Sequence, residues 1–276
     1  MRILYLTDGM FNAAGRERVV TNKATYLSKM GHQVTIATTD QHERPAYYPL
    51  PPAVQTVNLD INYTDYNGKG IVSKAAGYLR KSRLFKLRLH AFLDSHPQDV
   101  VVALMDRYLP AMLSYHAPIV TVYENHFNKY AMYALRESRS RRLLQQAVYR
   151  LKDWYYAKVY YRRLSIFAVL TKEDKAYWGT GFSNIVWMPN SINYQQALRA
   201  PLNNKIAISV GRLTYQKGYD RLLAVWRLVA PKHPDWQLHI YGSGEDKEQL
   251  TALIKEYSLN NVRLFPPTPD LEKKLT

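Results

Sequence analysis

Residues 206–244 constrain the fold of this chain more than any other stretch, because two strands, two loops and a helix are packed into them. Ile206–Val210 is an apolar run of the length of a buried parallel strand. A glycine-bounded loop and an amphipathic helix follow, and then a second strand over Gln237–Tyr241. This succession predicts a parallel α/β sheet. In such a sheet the loops after both strands lie at the carboxyl edge, where ligands bind.

Two cations in the first of these loops predict a site for an anion. Arg212 and Lys217 stand between Gly211 and Gly218, and glycines allow backbone and ligand to approach closely. Together with the N-terminus of the following helix, two cations can bind an anion such as a diphosphate. The alternative is that Arg212 and Lys217 are solvated surface charges beside a tight turn.

Four motifs in this half share the order and spacing of a known family. They are Gly211-Arg212-Leu213, Gln216-Lys217-Gly218-Tyr219-Asp220, Pro234-Asp235-Trp236 and Tyr241-Gly242-Ser243-Gly244. Through these motifs the chain resembles the nucleotide-sugar half of family 4 glycosyltransferases, which have the two-domain GT-B fold. The resemblance implies that Arg212 and Lys217 hold the diphosphate of the donor and act in catalysis. It also places Gly242 and Gly244 in the donor site.

The N-terminal part begins with another strand–loop–helix unit, within residues 2–30. Gly9 and Gly15 do not complete a Gly-x-Gly-x-x-Gly pattern, so the spacing disfavours a dinucleotide site. Residues 14–20, Ala-Gly-Arg-Glu-Arg-Val-Val, resemble instead the Gly-Gly-x-Glu-Arg-Val loop of the same family, with Ala14 in place of the first glycine. The resemblance implies that Gly15 lies against the transferred sugar. The strands predicted in this part are Arg2–Thr7, Gln33–Thr38, 54–59, 99–104, 119–123, 165–170 and 184–188.

His126 follows the strand predicted over 119–123. A histidine just beyond a parallel strand lies at the functional edge of the sheet, where it can meet a reacting sugar or its phosphate. The alternative is a structural hydrogen-bonding role. Related enzymes carry a histidine in the loop at this point, facing the interdomain cleft. The resemblance therefore implies that His126 is catalytic, with Glu124 as the weaker candidate.

Residues 136–163 are basic and aromatic together, and they predict a long helix. Cations beside ring-bearing residues suit the headgroup layer of a membrane that contains acidic lipids. The alternative is a helix half buried against its own domain, with its basic side in water. The residues assigned to the membrane or acceptor side are Arg139, Arg141, Arg142, Lys152 and Trp154.

Composition and charge bound the other possibilities. The chain has no cysteine, which excludes disulfides and thiolate metal sites and suits a reducing compartment. No apolar run approaches the roughly 18 residues of a membrane-spanning helix. No Asp-x-Asp motif occurs, so we expect neither a metal bound by that motif nor a cofactor. The formal charge of +16 predicts a polyanionic partner, which can be anionic lipid, nucleic acid or a phosphorylated substrate.

We therefore predict an α/β protein of the GT-B class, with two Rossmann-like parallel-sheet domains and a cleft between them. Residues 1–195 are expected to form the acceptor-side domain, and residues 196–276 the nucleotide-sugar domain. The sequence stops before the Glu-x7-Glu motif and the final helix that the resemblance implies. The second domain is therefore expected to be incomplete and the activity of this sequence weak or absent.

The predicted reaction moves a sugar from a nucleotide-diphosphate sugar to a glycan or polyprenyl-linked acceptor. Retention at the anomeric carbon is implied by the resemblance. The expected setting is the synthesis of bacterial surface polysaccharide or lipopolysaccharide, in the cytoplasm at the inner face of the plasma membrane. We expect peripheral contact with acidic membrane and no nucleic-acid partner. The alternatives are a nucleotide-sugar 2-epimerase of the same fold and a non-enzymatic basic protein that binds polyanions.

Overall fold

The chain folds into two compact units, Met1–Ser191 and Ile192–Thr276. The computed structural model describes residues 1–66, 71–127, 129, 139–191 and 203–268. Within these ranges the side chains of residues 66, 71, 72, 74, 139–146 and 149 are not described. Each unit is built on a parallel sheet of its own.

The described part of the first unit contains one seven-stranded sheet in which every neighbouring pair is parallel. Its strands are β1 (Arg2–Thr7), β2 (Gln33–Thr38), β3 (Val54–Asn58), β4 (Val100–Ala103), β5 (Val120–Asn125), β6 (Ile166–Val169) and β7 (Ile185–Trp187). The strand order is β3-β2-β1-β4-β5-β6-β7. The chain therefore proceeds outward from β1 in one direction and then returns to add β4 on the other side. This reversal places a topological switch point between β1 and β4, where parallel sheets open a ligand crevice.

Alternation along β1 supplies the apolar cores on both faces of this sheet. Leu4 and Leu6 enter the core on one face, whereas Ile3 and Tyr5 enter the core on the other. The helices of this unit are α1 (Gly15–Lys29), α2 (Ile71–Ser95), α3 (Leu109–Met112), α4 (Arg139–Val159) and α5 (Lys172–Trp178). Side chains of α1 belong to the second of these cores, and side chains of α2 and α5 to the first.

The basic, aromatic helix ends earlier than the sequence predicts. We expected one helix over residues 136–163, but α4 ends at Val159 and a short 3-10 turn, Tyr161–Arg163, follows it. Tyr161 is buried, and its ring stacks on Tyr123 and Phe167 with centroid distances of 5.4 and 4.7 Å. Packing of this ring beneath β5 and β6 redirects the chain toward β6, and the helix stops there.

The second unit has a three-stranded parallel sheet among its described residues. Its strands are β8 (Ile206–Val210), β9 (Gln237–Tyr241) and β10 (Val262–Phe265), and its helices are α6 (Tyr219–Val229) and α7 (Lys247–Glu256). The order is β10-β9-β8. Leu223 and Trp226 of α6 are one turn apart and pack with Leu238 and Ile240 of β9 in one core. The strands and α6 therefore bring the loop after β8 and the loop after β9 to one edge.

Candidate functional site

The loop after β8 lies directly on the loop after β9 in the second unit. The amide of Gly211 donates to the carbonyl oxygen of Tyr241 at 3.0 Å, and the amide of Leu213 donates to that of Ser243 at 2.9 Å. These two bonds extend the pairing of β8 and β9 past the ends of the strands. They hold the loop that carries Arg212 at the carboxyl edge of the sheet.

Gly242 and Gly244 are explained by this close packing of the two loops. A Cβ atom at Gly242 would overlap the carbonyl oxygen of Gly211. A Cβ atom at Gly244 would lie 2.7 Å from the carbonyl carbon of Leu213 and 2.8 Å from its nitrogen. Backbone atoms cannot give way as a flexible side chain can. Both glycines therefore have a packing role, and their contact with a donor stays a prediction.

Arg212 and Lys217 are both exposed, and neither side chain forms a hydrogen bond or ion pair with another residue that the structure describes. The stem of Lys217 lies beside Gly211, because a Cβ atom there would be 3.7 Å from Lys217 Cε. Gly218 follows with a φ of 66°, in the left-handed region that favours glycine, and leads into α6. Two cations without an anionic partner among the described residues thus precede the N-terminus of α6 in the chain, and both cations and helix N-termini attract anions.

In the first unit, the structure places His126 against Glu124 at the end of β5. Glu124 Oε2 lies 3.2 Å from His126 Nε2 and 2.8 Å from Lys23 Nζ, which α1 contributes. The exposed fractions of the three side chains are 7% for His126, 4% for Glu124 and 15% for Lys23. If Nε2 donates to the carboxylate, Nδ1 of the neutral ring is an acceptor. Glu124 therefore orients the imidazole.

The environment keeps Glu124 ionised. Burial alone would raise the pKa of Glu124, but the hydrogen bond from His126 and the charge of Lys23 outweigh burial and lower it. An ionised carboxylate accepts hydrogen bonds and does not supply a proton. The structure therefore gives Glu124 a positioning role toward His126. Lys23 had no sequence signal, because it lies 101 residues from Glu124.

A second polar cluster follows β1 and was not expected from the sequence. Asp8 Oδ2 accepts from Arg16 at 3.1 Å, and Asp8 Oδ1 accepts from the Tyr108 hydroxyl at 2.8 Å and from Arg107. Burial opposes ionisation of Asp8, but Arg107 and Arg16 outweigh it and lower its pKa. Arg16 also lies 4.0 Å from the buried Glu17, so the two arginines of this cluster face two carboxylates. Asp8 follows β1 and Arg107 follows β4, so a prediction of their contact would have required knowing that these two strands are neighbours in the sheet.

Gly15 stands at the first position of α1 with open space before it. Apart from its chain neighbours and the backbone of its own helix, a Cβ atom at Gly15 would meet no heavy atom of the described residues within 4 Å. The fold of the first unit therefore does not require a glycine there, and a ligand would have room to approach. Ala14 adopts φ −126° and ψ 162°, an extended conformation open to any residue. The replacement of the family's first glycine by Ala14 thus places no strain on the backbone.

Helix α4 exposes a row of apolar side chains, which we call the α4 apolar stripe. Leu151 is 66% exposed, Val148 is 59% exposed, and Trp154 and Tyr155 continue the row. Lys152 points elsewhere: its Nζ pairs with Asp106, after β4, at 2.6 Å. The side chains of Arg139, Arg141 and Arg142 lie outside the described residues.

Two properties of the described chain concern membranes and metals. No helix in that part is both long and apolar enough to cross a bilayer. The same part contains no cluster of three or more His, Cys, Asp or Glu side chains that could hold a metal ion.

Comparison with known proteins identifies two matching family models. Residues 13–196 match the model described as Glycosyltransferase Family 4, and residues 190–275 match the one described as Glycosyl transferases group 1. The amylovoran biosynthesis glycosyltransferase AmsD of Erwinia amylovora is 27% identical over 268 residues, which cover 94% of this chain and 66% of AmsD. An uncharacterized glycosyltransferase of Haemophilus influenzae is 41% identical over 107 residues, which cover 37% of this chain and 30% of that protein. The matches thus span between about a third and two thirds of these relatives' lengths.

Solved structures show the same architecture. The S. aureus TarM mutant in complex with fondaparinux, alpha-GlcNAc-glycerol and UDP has a TM-score of 0.74 at 13% identity, over 99% of this chain and 79% of that one. WaaG, described as a glycosyltransferase involved in lipopolysaccharide biosynthesis, has a TM-score of 0.67 at 16% identity, over 99% of this chain and 72% of that one. At these identities the likeness shows the fold alone, and it confirms the predicted α/β GT-B class.

Proposed function

The chain belongs to glycosyltransferase family 4, and from this membership we propose that it transfers a sugar from a nucleotide-diphosphate sugar to a glycan or lipid-linked acceptor. The relative with the longest match reported above, AmsD, is named for the biosynthesis of amylovoran. The TarM structure contains UDP, and a structure of Anabaena HepE, also similar in fold, contains UDP-glucose. These relatives support a nucleoside-diphosphate sugar as donor and polysaccharide synthesis as the setting.

The proposal rests on two cations of the second unit, Arg212 and Lys217. Negative charge builds on the diphosphate as the bond from the anomeric carbon to its oxygen breaks. Arg212 lies in the loop after β8 and Lys217 lies just before α6, and neither side chain has a described anionic partner, so both are available to that charge. Stabilising a developing charge with groups already in position is the largest single contribution in many enzymes. The proposal needs no cofactor besides the donor.

The first unit would supply the sugar and acceptor side of the reaction. Glu124 orients His126 through a 3.2 Å hydrogen bond, and in the tautomer whose Nε2 donates to Glu124, Nδ1 would accept a hydrogen bond from a hydroxyl of the sugar or acceptor. The open space at Gly15 is where a transferred sugar would approach. We propose retention at the anomeric carbon on family grounds.

We further propose that the first unit contacts the inner face of an acidic membrane through α4. The α4 apolar stripe supplies exposed aromatic and aliphatic side chains, and Arg150 and Lys158 are exposed on the same helix. This combination is typical of helices that lie in the headgroup layer. A lipid-linked acceptor would then reach the enzyme from the bilayer surface.

Donor binding is the first test of the proposed function. We expect one of UDP-, GDP- or ADP-sugars to raise the melting temperature of the full-length gene product, in which all variants are made, because a ligand at 100 times its Kd stabilises the folded state by about 2.7 kcal/mol. Arg212→Ala and Lys217→Ala should each reduce this shift. Lys232→Ala is the matched control, because Lys232 is an exposed lysine that follows α6, away from the loop of Arg212.

Turnover is the second readout of the same test. In transfer assays with the donor so identified, we expect each of the two substitutions to lower kcat by about 100-fold, as for other preorganised groups. Incubation with the donor alone, followed by product analysis, separates transfer from 2-epimerisation. Near-normal donor binding and turnover in both variants would mean that the diphosphate lies elsewhere.

A further inference from the structure

A pocket of about 490 Å³ opens beside α4, and all its described lining residues belong to the first unit. Four cations line this pocket, whereas Asp153 is the one acid among its described lining residues. The cations are Lys129, Arg150, Lys158 and Arg162. This imbalance gives the walls a positive potential, which selects for an anionic ligand.

Aromatic rings hold three of these cations in place. Lys158 Nζ lies 4.8 Å from the centre of the Trp154 ring, and Lys129 Nζ lies 4.6 Å from that of Trp178. The Arg162 guanidinium carbon lies 5.6 Å from the centre of the Phe182 ring. Cations positioned over ring faces are already ordered, so less side-chain freedom is lost when a ligand binds.

Lys129 is also tied to the backbone and to α5. Its Nζ donates to the carbonyl oxygen of Tyr177 at 2.8 Å, and its amide donates to Asp174 Oδ1 at 2.9 Å. Lys129 is three residues beyond His126, which we assign to the sugar and acceptor side. The pocket is therefore connected by a short stretch of chain to the proposed reaction site.

The size of the pocket indicates more than a lone ion. Its volume lies within the roughly 300–1,000 Å³ that is usual for small-molecule sites, and far above the share of one water molecule, about 30 Å³. An anion carried on a larger polar group would occupy this space. Sugar rings are such groups, and Trp154 and Phe182 contribute apolar surface to the walls of the pocket.

We propose that this pocket binds an anionic saccharide unit, a sugar that bears a carboxylate or a phosphate, within the acceptor glycan. The inference rests on the proposed function, because it takes the acceptor to be a glycan. It adds the chemical class of that glycan. The pocket overlaps the proposed membrane surface at Arg150, Trp154 and Lys158 of α4, whereas Arg162, Trp178 and Phe182 line the pocket from outside that helix. Substitutions at Lys158 and Arg162 leave Val148, Leu151 and Tyr155 of the stripe unchanged, and vesicle binding is measured beside sugar binding to separate the two roles of Lys158.

Calorimetric titration of the full chain tests the proposal directly. The acidic probes are trigalacturonate and maltose 1-phosphate, and the neutral counterparts are galactotriose and maltose, with inorganic phosphate as the free anion. We expect at least one acidic probe to bind, more weakly as salt is raised. The neutral sugars and phosphate should bind at least about tenfold more weakly, a difference of about 1.4 kcal/mol.

Variants then locate the binding. The double variant Lys158→Gln with Arg162→Gln should lose about tenfold in affinity for the acidic probe. Lys29→Gln removes one charge from the exposed end of α1 and should leave affinity unchanged. Arg162→Lys keeps the charge and should retain most of the binding, which guards against a general loss of structure. Circular dichroism checks the fold of each variant.

Several results would overturn the inference. These are no binding of either acidic probe, equal binding of acidic and neutral sugars, equal binding of inorganic phosphate, or affinity untouched by the double variant. Binding of phosphatidylglycerol vesicles that the double variant abolishes, without sugar binding, would assign the pocket to lipid instead. Because the readout is binding without a donor, failure here is distinct from failure of the proposed transfer, which the donor titration measures separately.

Discussion

At the scale of single residues, Glu124 joins two elements, since its carboxylate accepts hydrogen bonds from Lys23 on α1 and from His126 after β5. The buried ion pair of Lys23 and Glu124 contrasts with the ion pair of Arg2 and Asp99, whose side chains are 47% and 42% exposed. Water solvates the exposed charges in both the folded and unfolded states, so their pairing adds little. The buried carboxylate has lost that solvation and depends on its protein partners.

We therefore predict that Lys23→Met destabilises the first unit by about 3 kcal/mol at pH 7, because it leaves a buried anion without its cation. The lowered pKa of Glu124 stabilises the folded state above the unfolded pKa of about 4.3, and this contribution is lost as pH falls through the lower folded pKa. The cost of Lys23→Met should therefore shrink between about pH 5 and pH 2. Urea denaturation across that range measures it.

Arg2→Met is the matched control for this prediction, because it removes a cation from the exposed pair. Its effect should be small and should depend little on pH in comparison. If Lys23→Met and Arg2→Met lowered the free energy of unfolding equally at pH 7, the buried Lys23–Glu124 contact would stabilise the fold no more than the exposed Arg2–Asp99 pair. A loss from Lys23→Met that stays constant down to pH 2 would also contradict the ionised state of Glu124.

Among the candidate site residues, those that follow a strand directly could be placed from the sequence. Arg212, Lys217 and His126 were expected at a carboxyl edge, because strand ends can be read from apolar runs. Arg212 and His126 lie just beyond strand ends, and Lys217 lies farther along the loop after β8. Lys23 and Arg107 could not be placed this way. Each meets its partner across about 100 residues, and only the strand order of the folded sheet shows which strand ends are neighbours.

At the scale of elements, the loops after β8 and β9 depend on two glycines for their contact. A Cβ atom at Gly244 would meet backbone atoms of Leu213, which belong to the loop that carries Arg212. We predict that Gly244→Ala destabilises the second unit by about 1–3 kcal/mol, the usual cost of overpacking a close contact. Chemical denaturation measures the change. Donor-induced stabilisation should fall too, because the loop of Arg212 would be displaced.

Ser243→Ala is the control for this substitution, because the exposed Ser243 lies between the two glycines and bonds Leu213 through its backbone oxygen. It should leave stability near that of the original chain. If Gly244→Ala were equally harmless while donor binding fell, the glycine would serve the ligand and not the packing of the loops.

Element bounds followed from the sequence wherever apolar runs decide them. The strands β1, β2, β8 and β9 have the predicted bounds, since each is a short run bounded by turn residues. Helix α4 does not have its predicted bounds, because residues 136–163 keep a helical composition throughout. Its end is set by burial of Tyr161 against β5 and β6, a tertiary contact that local composition does not reveal.

At the scale of the whole molecule, the formal charge of +16 would draw the chain to any acidic surface. Helices α2 and α4 concentrate this charge, with six Lys or Arg residues and one Asp in each. Charge alone does not choose which part of the chain docks. In our proposal the α4 apolar stripe determines which part docks, because burial of its side chains in the bilayer lowers the free energy of the bound state.

Sedimentation with liposomes separates these two contributions. We predict that binding requires acidic lipid and weakens with salt, because each cation near the surface contributes about 1 kcal/mol. Replacing Leu151 and Tyr155 by Ser should weaken binding by about tenfold or more, since full burial of one leucine gives about 1.5–3 kcal/mol. Leu228→Ser is the control: this leucine on α6 is 71% exposed, more than Leu151, but belongs to the second unit. Equal binding to neutral vesicles, or equal effects of the α4 and α6 substitutions, would leave α4 as a solvated face of the first unit.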